Sequence, residues 1–86
     1  MNQRVLITAG AFGIGREIAR AFAAQGAKVF VCDIDPQALE TLAQEIPGVT
    51  TVVCDVSKRQ HIEHMVEAAV DALGGVDVLV NNAGIS

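Results

Sequence analysis

The sequence predicts a doubly wound α/β fold, a three-layer parallel sheet built as β-α-β-α-β-α-β. Short Val- and Ile-rich runs alternate with longer segments whose apolar residues recur at helical spacing. Each short run ends at a glycine loop, an Asp or an Asn, so polar residues gather at one edge of the sheet. The composition agrees: 51% of residues are hydrophobic and 3% aromatic, with no Trp or Tyr. Such a Val/Ile/Leu/Ala mixture suits strands covered on both faces. Strands joined by helical crossovers lie parallel, with right-handed connections. The doubly wound arrangement then gives the strand order 3-2-1-4.

Each element has a local reason. Gln3 to Thr8 reads as the first strand, and the glycine loop after it opens a helix from Gly13 to Gln25. Ile14, Ile18, Ala21 and Phe22 give that helix its apolar spacing, and Gly26 suits a left-handed stop. Lys28 to Cys32 forms the second strand, ending at Asp33. Asp35 caps the next helix, Pro36 occupies its first position, and the helix runs to Glu45 before Pro47-Gly48. Leu39, Leu42, Ala43 and Ile46 share one face of it. The third strand is Thr50 to Cys54, closing at Asp55. Ser57 is the expected cap of the third helix, with Gln60 completing a capping box. Ile62, Met65, Val66, Ala69, Val70 and Leu73 form its apolar stripe, and Gly74-Gly75 ends it. The fourth strand is Val76 to Val80, followed by Asn81-Asn82-Ala83-Gly84.

Eighty-six residues make a single small domain, with no repeat or linker. The net charge is −4 and no basic block occurs, which argues against nucleic acid as a partner. No apolar run approaches the roughly 20 residues of a membrane span. The apolar run at Val5–Ile7 is cut by Thr8 and Gly10, too soon for a signal peptide. The expected location is the cytoplasm. Cys32 and Cys54 each precede an Asp in an apolar run and fit small buried strand residues, with a reactive thiol pair as the alternative.

The candidate chemistry lies at strand C-termini. Gly10, Gly13 and Gly15 punctuate a strand-to-helix turn, where exposed backbone N–H groups and the positive end of the helix dipole suit a phosphate. The spacing differs from the G-x-G-x-x-G fingerprint. Asp33 is placed to accept hydrogen bonds from both hydroxyls of an adenosine ribose, and its charge repels a 2′-phosphate. Ile34 and Asp35 follow it and supply no cation, so NAD is favoured over NADP. A solvated loop Asp is the alternative. Asp55 is placed to accept from an adenine amino group, with the Val56 backbone beside it; a loop Asp near a helix start is again the alternative. His61 and His64 are one turn apart, but no third ligand joins them, and a solvated face explains both. Arg16 fits either a phosphate contact or a surface position. No nucleophile or general base stands out: Tyr is absent, and the two lysines, Lys28 and Lys58, fall outside the predicted crevice.

Together, Thr8-Ala9-Gly10-Ala11-Phe12-Gly13-Ile14-Gly15, Cys54-Asp55-Val56 and Asp77-Val78-Leu79-Val80-Asn81-Asn82-Ala83-Gly84 resemble the short-chain dehydrogenase/reductase family, in its order and spacing. The N-N-A-G segment after D-V-L-V is the most specific part. The family's loop reads T-G-x-x-x-G-x-G, so Ala9 stands where it usually has Gly, and Phe12 where a small or polar residue is commoner. The resemblance implies a Rossmann-like domain, with residues 1–86 as part of an NAD(P)-binding unit truncated before its catalytic half. It implies cofactor contacts at Thr8, Gly10, Phe12, Gly13, Ile14, Gly15, Asp33, Ile34, Asp55, Val56, Asn82, Ala83 and Gly84. Asn82, Ala83 and Gly84 would line the cofactor path and brace the central strand. The family's Asn-Ser-Tyr-Lys set lies beyond the N-N-A-G segment and has no counterpart here.

The expected function is that of an N-terminal piece of an NAD-dependent oxidoreductase, whose parent transfers hydride between a nicotinamide and a small-molecule alcohol or ketone. By itself the piece is expected to bind the dinucleotide without turning it over. The alternatives are a non-catalytic nucleotide-binding half-domain and a methyltransferase using S-adenosylmethionine. Asn81-Asn82-Ala83-Gly84 argues against the second. An uncovered fourth strand predicts self-association through its edge, as a homo-oligomer.

Overall fold

The computed structural model describes residues 3–9 and 11–82. Four strands, β1 (Arg4–Thr8), β2 (Lys28–Asp33), β3 (Thr50–Val53) and β4 (Val78–Asn81), alternate with three helices, α1 (Gly13–Ala24), α2 (Pro36–Glu45) and α3 (Arg59–Leu73). The sheet is parallel throughout, in the order β3-β2-β1-β4. Register runs Thr8 against Cys32 on one side of β1 and Thr8 against Asn81 on the other. All four strands therefore end at one edge.

Alternation along the strands divides the core in two. Val5, Ile7, Val29 and Val31 face α1 and α2, where they meet Ala19, Leu39, Leu42 and Ile46. Leu6, Phe30 and Cys32 face α3, against Met65, Ala69 and Leu73. Leu42 and Phe30 are each 1% exposed, and burying a side chain of that size contributes roughly 1.5–3 kcal/mol. Cys32 and Cys54 are free and buried in the second cluster. Burial pushes the Cys32 thiol up to about 11 and raises Cys54 as well. Both are buried as expected and held toward the protonated thiol, Cys32 within β2 and Cys54 one residue past the end of β3.

The helix faces differ from expectation in two places. Ile14 is 64% exposed and Ala21 is exposed; α1 buries Gly15 and Ala19 instead, with Ile18, Phe22 and Ala23 half-buried. Helical spacing alone does not say which side of the stripe meets the sheet. The α3 stripe is split: Met65, Ala69 and Leu73 are buried, whereas Ile62, Val66 and Val70 stay exposed. Ile62 and Val66 line one pocket with Leu79 of β4, which is 62% exposed. Among the described residues β4 pairs with β1 and its other edge has no partner.

The start of α3 is a further correction. Ser57 does not cap it. Lys58 holds the cap position without a side-chain hydrogen bond, and Ser57 turns back to Asp55, whose Oδ1 accepts from its N–H (3.0 Å) and Oγ (2.6 Å). A carboxylate two residues upstream competes for Ser57 more strongly than the helix amides do. The helix thus begins one residue later, and His61 rather than Gln60 stands third. The α2 start is as expected: Asp35 Oδ1 accepts from Gln37 N (3.0 Å) and Ala38 N (3.2 Å), with Pro36 first in the helix.

The edge away from the loops is locked. The Arg4 guanidinium donates Nε and Nη2 to the two oxygens of Asp77, both at 2.9 Å, and Nη1 to the Gly74 carbonyl at 2.8 Å. The pair ties β1 to the turn before β4. Gly75 beside it holds a φ of +142°, which strains any L side chain, and a Cβ there would stand 2.7 Å from Arg4 Nη1 and displace the guanidinium.

Candidate functional site

Strand order reverses at β1, and a cleft of about 520 Å³ opens there. It is lined by Ala9, Phe12, Gly13, Ile14, Asp33, Ile34, Asp35 and Asn82. Beside it a smaller pocket of about 200 Å³ is lined by Ala9, Asp33, Ile34, Cys54, Asp55 and Val56. The two share Ala9, Asp33 and Ile34. The fold thus brings together Phe12, Gly13, Ile14, Asp33, Ile34 and Asn82 in the cleft, and Asp55 and Val56 next to it. Gly15 is buried in the first turn of α1. Gly10, Ala83 and Gly84 lie outside the described residues.

The turn into α1 is held by backbone geometry and by Asp33. Ala9 takes a left-handed φ of 53°, which costs an L-residue about 1–2 kcal/mol. The expected glycine of the family loop would sit there freely, so the strain falls on Ala9 itself. Gly13 also has a left-handed φ, +52°, and nothing lies within 4 Å of where its Cβ would stand, so its requirement is conformational rather than spatial. Asp33 is 7% exposed. Its Oδ2 accepts from Ala11 N and its Oδ1 from Asp35 N, both at 3.2 Å. One carboxylate therefore joins the β1–α1 loop to the β2–α2 loop. A carboxylate oxygen has room for more than one donor, and Asp33 lines the cleft.

The start of α1 has no cap of its own. Phe12 stands in the cap position in extended conformation and offers no side-chain acceptor. Among the described residues no side chain caps the first turn, which leaves its N–H groups to water or a ligand. Arg16 pairs with Glu45 at the end of α2, together with Arg20 (3.2 Å), so the surface reading of Arg16 is the one its contacts favour.

Thr8 organises the junction of β1 and β4. Its Oγ1 accepts from Asn82 N at 3.0 Å and donates toward Asn81 Oδ1 at 3.2 Å. Asn82 Nδ2 donates to the Ala9 carbonyl at 3.0 Å. The Asn81-Asn82 pair thus fastens the β4 end to the loop that precedes the cleft.

Two features escape the sequence reading. The N–H of Asp55 donates to His61 Nδ1 at 3.1 Å, a contact visible only once the helix start is displaced by one residue. Ser57 and the nearby charges of Lys58 and His61 hold the Asp55 carboxyl below its ordinary range, the Ser57 hydroxyl contributing most. With Nδ1 accepting, a neutral His61 ring carries its proton on Nε2 and presents no lone pair there for a metal. Among the described residues no group of three His, Cys, Asp or Glu is placed to hold an ion. Also among them, no helix is long and apolar enough to cross a membrane.

A ligand crevice beyond the strand C-termini, at the reversal of strand order, is the general site of open parallel sheets. By its architecture the chain is a Rossmann-type α/β domain. The family model for short chain dehydrogenases matches residues 3–86, and the chain belongs to the short-chain dehydrogenase/reductase family of oxidoreductases, which bind nicotinamide dinucleotides. It is 46% identical over 85 residues to a galactitol 2-dehydrogenase of Agrobacterium fabrum, covering 98% of this chain and 33% of that protein. It is 38% identical over 80 residues to an L-fucose dehydrogenase of Bos taurus, covering 93% and 30%. Among solved structures, an actinorhodin polyketide ketoreductase with NADPH superposes with a TM-score of 0.93 at 40% identity, covering 96% of this chain and 33% of that one. A 3-ketoacyl-(acyl-carrier-protein) reductase of Brucella melitensis complexed with NADH gives 0.86 at 38%, covering 90% and 32%. The chain spans about a third of the length of these relatives. Membership in this family sets aside the methyltransferase alternative.

Proposed function

We propose that this chain is the adenosine-binding part of an NAD-dependent oxidoreductase whose whole protein transfers hydride between nicotinamide and an alcohol or ketone. The observation that carries the reading is Asp33, buried at the end of β2 and fixed by two backbone N–H groups at the rim of the cleft. Its free acceptor capacity suits the ribose hydroxyls. Its negative charge opposes a 2′-phosphate, and no Lys or Arg is among the described residues lining the cleft. The uncapped start of α1 suits the pyrophosphate. Asp55 and Val56, in the adjoining pocket, suit the adenine, and Thr8, Asn82, Ala83 and Gly84 the path toward the nicotinamide, with Gly10, Gly13 and Gly15 shaping the loop.

When bound, the dinucleotide supplies the hydride acceptor or donor. This chain's own residues bind and orient it. They include no Tyr, and Lys28 begins β2 at the edge opposite the loops. The 86-residue chain is therefore expected to bind NAD without NAD-dependent turnover, in the cytoplasm. Calorimetry with NAD and NADP tests the reading. NAD binds at least about tenfold more tightly, a gap of ~1.4 kcal/mol, and Asp33→Asn narrows it. Equal affinities, or a preference for NADP, overturn the NAD assignment. Self-association through the open edge of β4 belongs to the same proposal, and a monodisperse monomer by light scattering at high concentration overturns that part.

A further inference from the structure

His61 has no role in the reading above, yet its ring faces the loop assigned to the adenine. The loop has two anchors. Ser57 holds the Asp55 carboxylate from within, through its N–H and Oγ on Oδ1. His61, on the first turn of α3, holds the Asp55 main chain from outside, its Nδ1 accepting the Asp55 N–H at 3.1 Å. The second anchor exists only while Nδ1 keeps its lone pair. A protonated imidazole has donors on both nitrogens, so it turns an N–H toward the Asp55 N–H and the contact becomes repulsive. The same cation is attracted to the Asp55 carboxylate. The charge on one ring therefore decides whether it grips the main chain of this loop or its side chain.

We infer that His61 is a positioning residue for the Asp55–Val56 loop, making the grip on the adenine end of a dinucleotide depend on the protonation of its imidazole. The inference rests on the cofactor reading proposed above. Asp55 and Lys58 lie in the loop, and His64 lies one turn along α3, lining the same pocket. β3 flanks that pocket with Val52 and Val53, which carry no charge. Imidazoles are the side chains that change charge between pH 5 and 8, whereas the Asp55 carboxyl, already held low, stays ionised across that range. Charging the ring accordingly removes the main-chain anchor of the loop.

Two measurements test this on the 86-residue chain. Calorimetry with AMP and with NAD from pH 8 to pH 5.5 is expected to show affinity falling about fivefold, the equivalent of one net hydrogen bond. His61→Asn, whose amide oxygen can accept the same N–H without titrating, binds like the wild type at pH 8 and loses the decline. His64→Gln retains it. Amide NMR without nucleotide reads the anchor directly: the Asp55 N–H resonance titrates with His61 in the wild type and not in His61→Asn. An Asp55 amide indifferent to His61 overturns the inference. So does an affinity that stays flat with pH while the amide titrates. Absence of nucleotide binding at every pH, with the amide titration intact, instead overturns the cofactor reading and supports the imidazole anchor.

Discussion

The first two helices start in the same setting and solve it oppositely. Each follows a strand of the same parallel sheet, packs on the same face and begins at the edge that carries the loops. At α2 the chain supplies its own acceptor: Asp35 takes the N–H groups of Gln37 and Ala38, and Pro36 removes a donor altogether. At α1 nothing comparable is present among the described residues. Phe12 offers no acceptor, and a left-handed Ala9 and Gly13 bend the chain so that the helix start faces the cleft. A self-capped helix start is stable alone and closed to ligands. An uncapped one forgoes roughly 0.5–2 kcal/mol of capping and keeps its donors for an anion. The difference marks α1, not α2, as the pyrophosphate end of the proposed site.

Exchanging these two solutions is the sharpest way to break the contrast. Phe12→Asp gives α1 a cap and a negative charge. NAD affinity is expected to fall about tenfold or more while the melting temperature rises, since the new carboxylate takes the donors and the dipole for itself. An unchanged affinity by calorimetry removes α1 from the site. The reverse change, Asp35→Ala, strips α2 of its cap and is expected to cost about 0.5–2 kcal/mol in denaturant unfolding. A loss as large as that of a core truncation would mean that Asp35 does more than cap. Between them stands Ala9, whose left-handed φ makes Ala9→Gly stabilising by about 1 kcal/mol, the relief of strain less the entropy gained by the unfolded chain. Destabilisation there would mean that the strain is not real.

The smallest effect lies at the opposite edge. Arg4 lowers Asp77 from 3.8 to about 2 through its hydrogen bonds. A carboxyl depressed by folding adds stability that is full above its unfolded value and lost as pH falls through its folded one. The thermal midpoint therefore declines between about pH 4 and pH 2, and Asp77→Asn flattens that part of the profile while lowering the plateau slightly. The pair is solvent-exposed, so screening keeps the effect small, and added salt reduces it further.

Much of the fold is legible in residue order. Periodicity finds the strands and helices in their order, with β4 starting at Val78 rather than Val76, and the doubly wound arrangement supplies the strand order. Asp35-Pro36 announces the α2 start because its partners are two and three residues away. The start of α3 misleads for the same local reason: Ser57 is a good cap by type, but Asp55, equally near, claims it first. Residue order also puts Asp33 at the cleft, yet its bond to Ala11 N, across 22 residues, follows only from the adjacency of β1 and β2. Arg4 and Asp77 sit 73 residues apart, and no spacing rule reaches that far.

Which residues turn, cap or alternate is a matter of a few neighbouring dihedrals, and the chain states it locally. Burial and long-range pairing depend on which elements lie side by side. Only the folded sheet decides that Ala9 must go left-handed, that Ile62 and Val66 stay exposed beside Leu79, and that His61 takes the Asp55 N–H. Each is settled by the relative placement of separate elements, a property of packing in three dimensions.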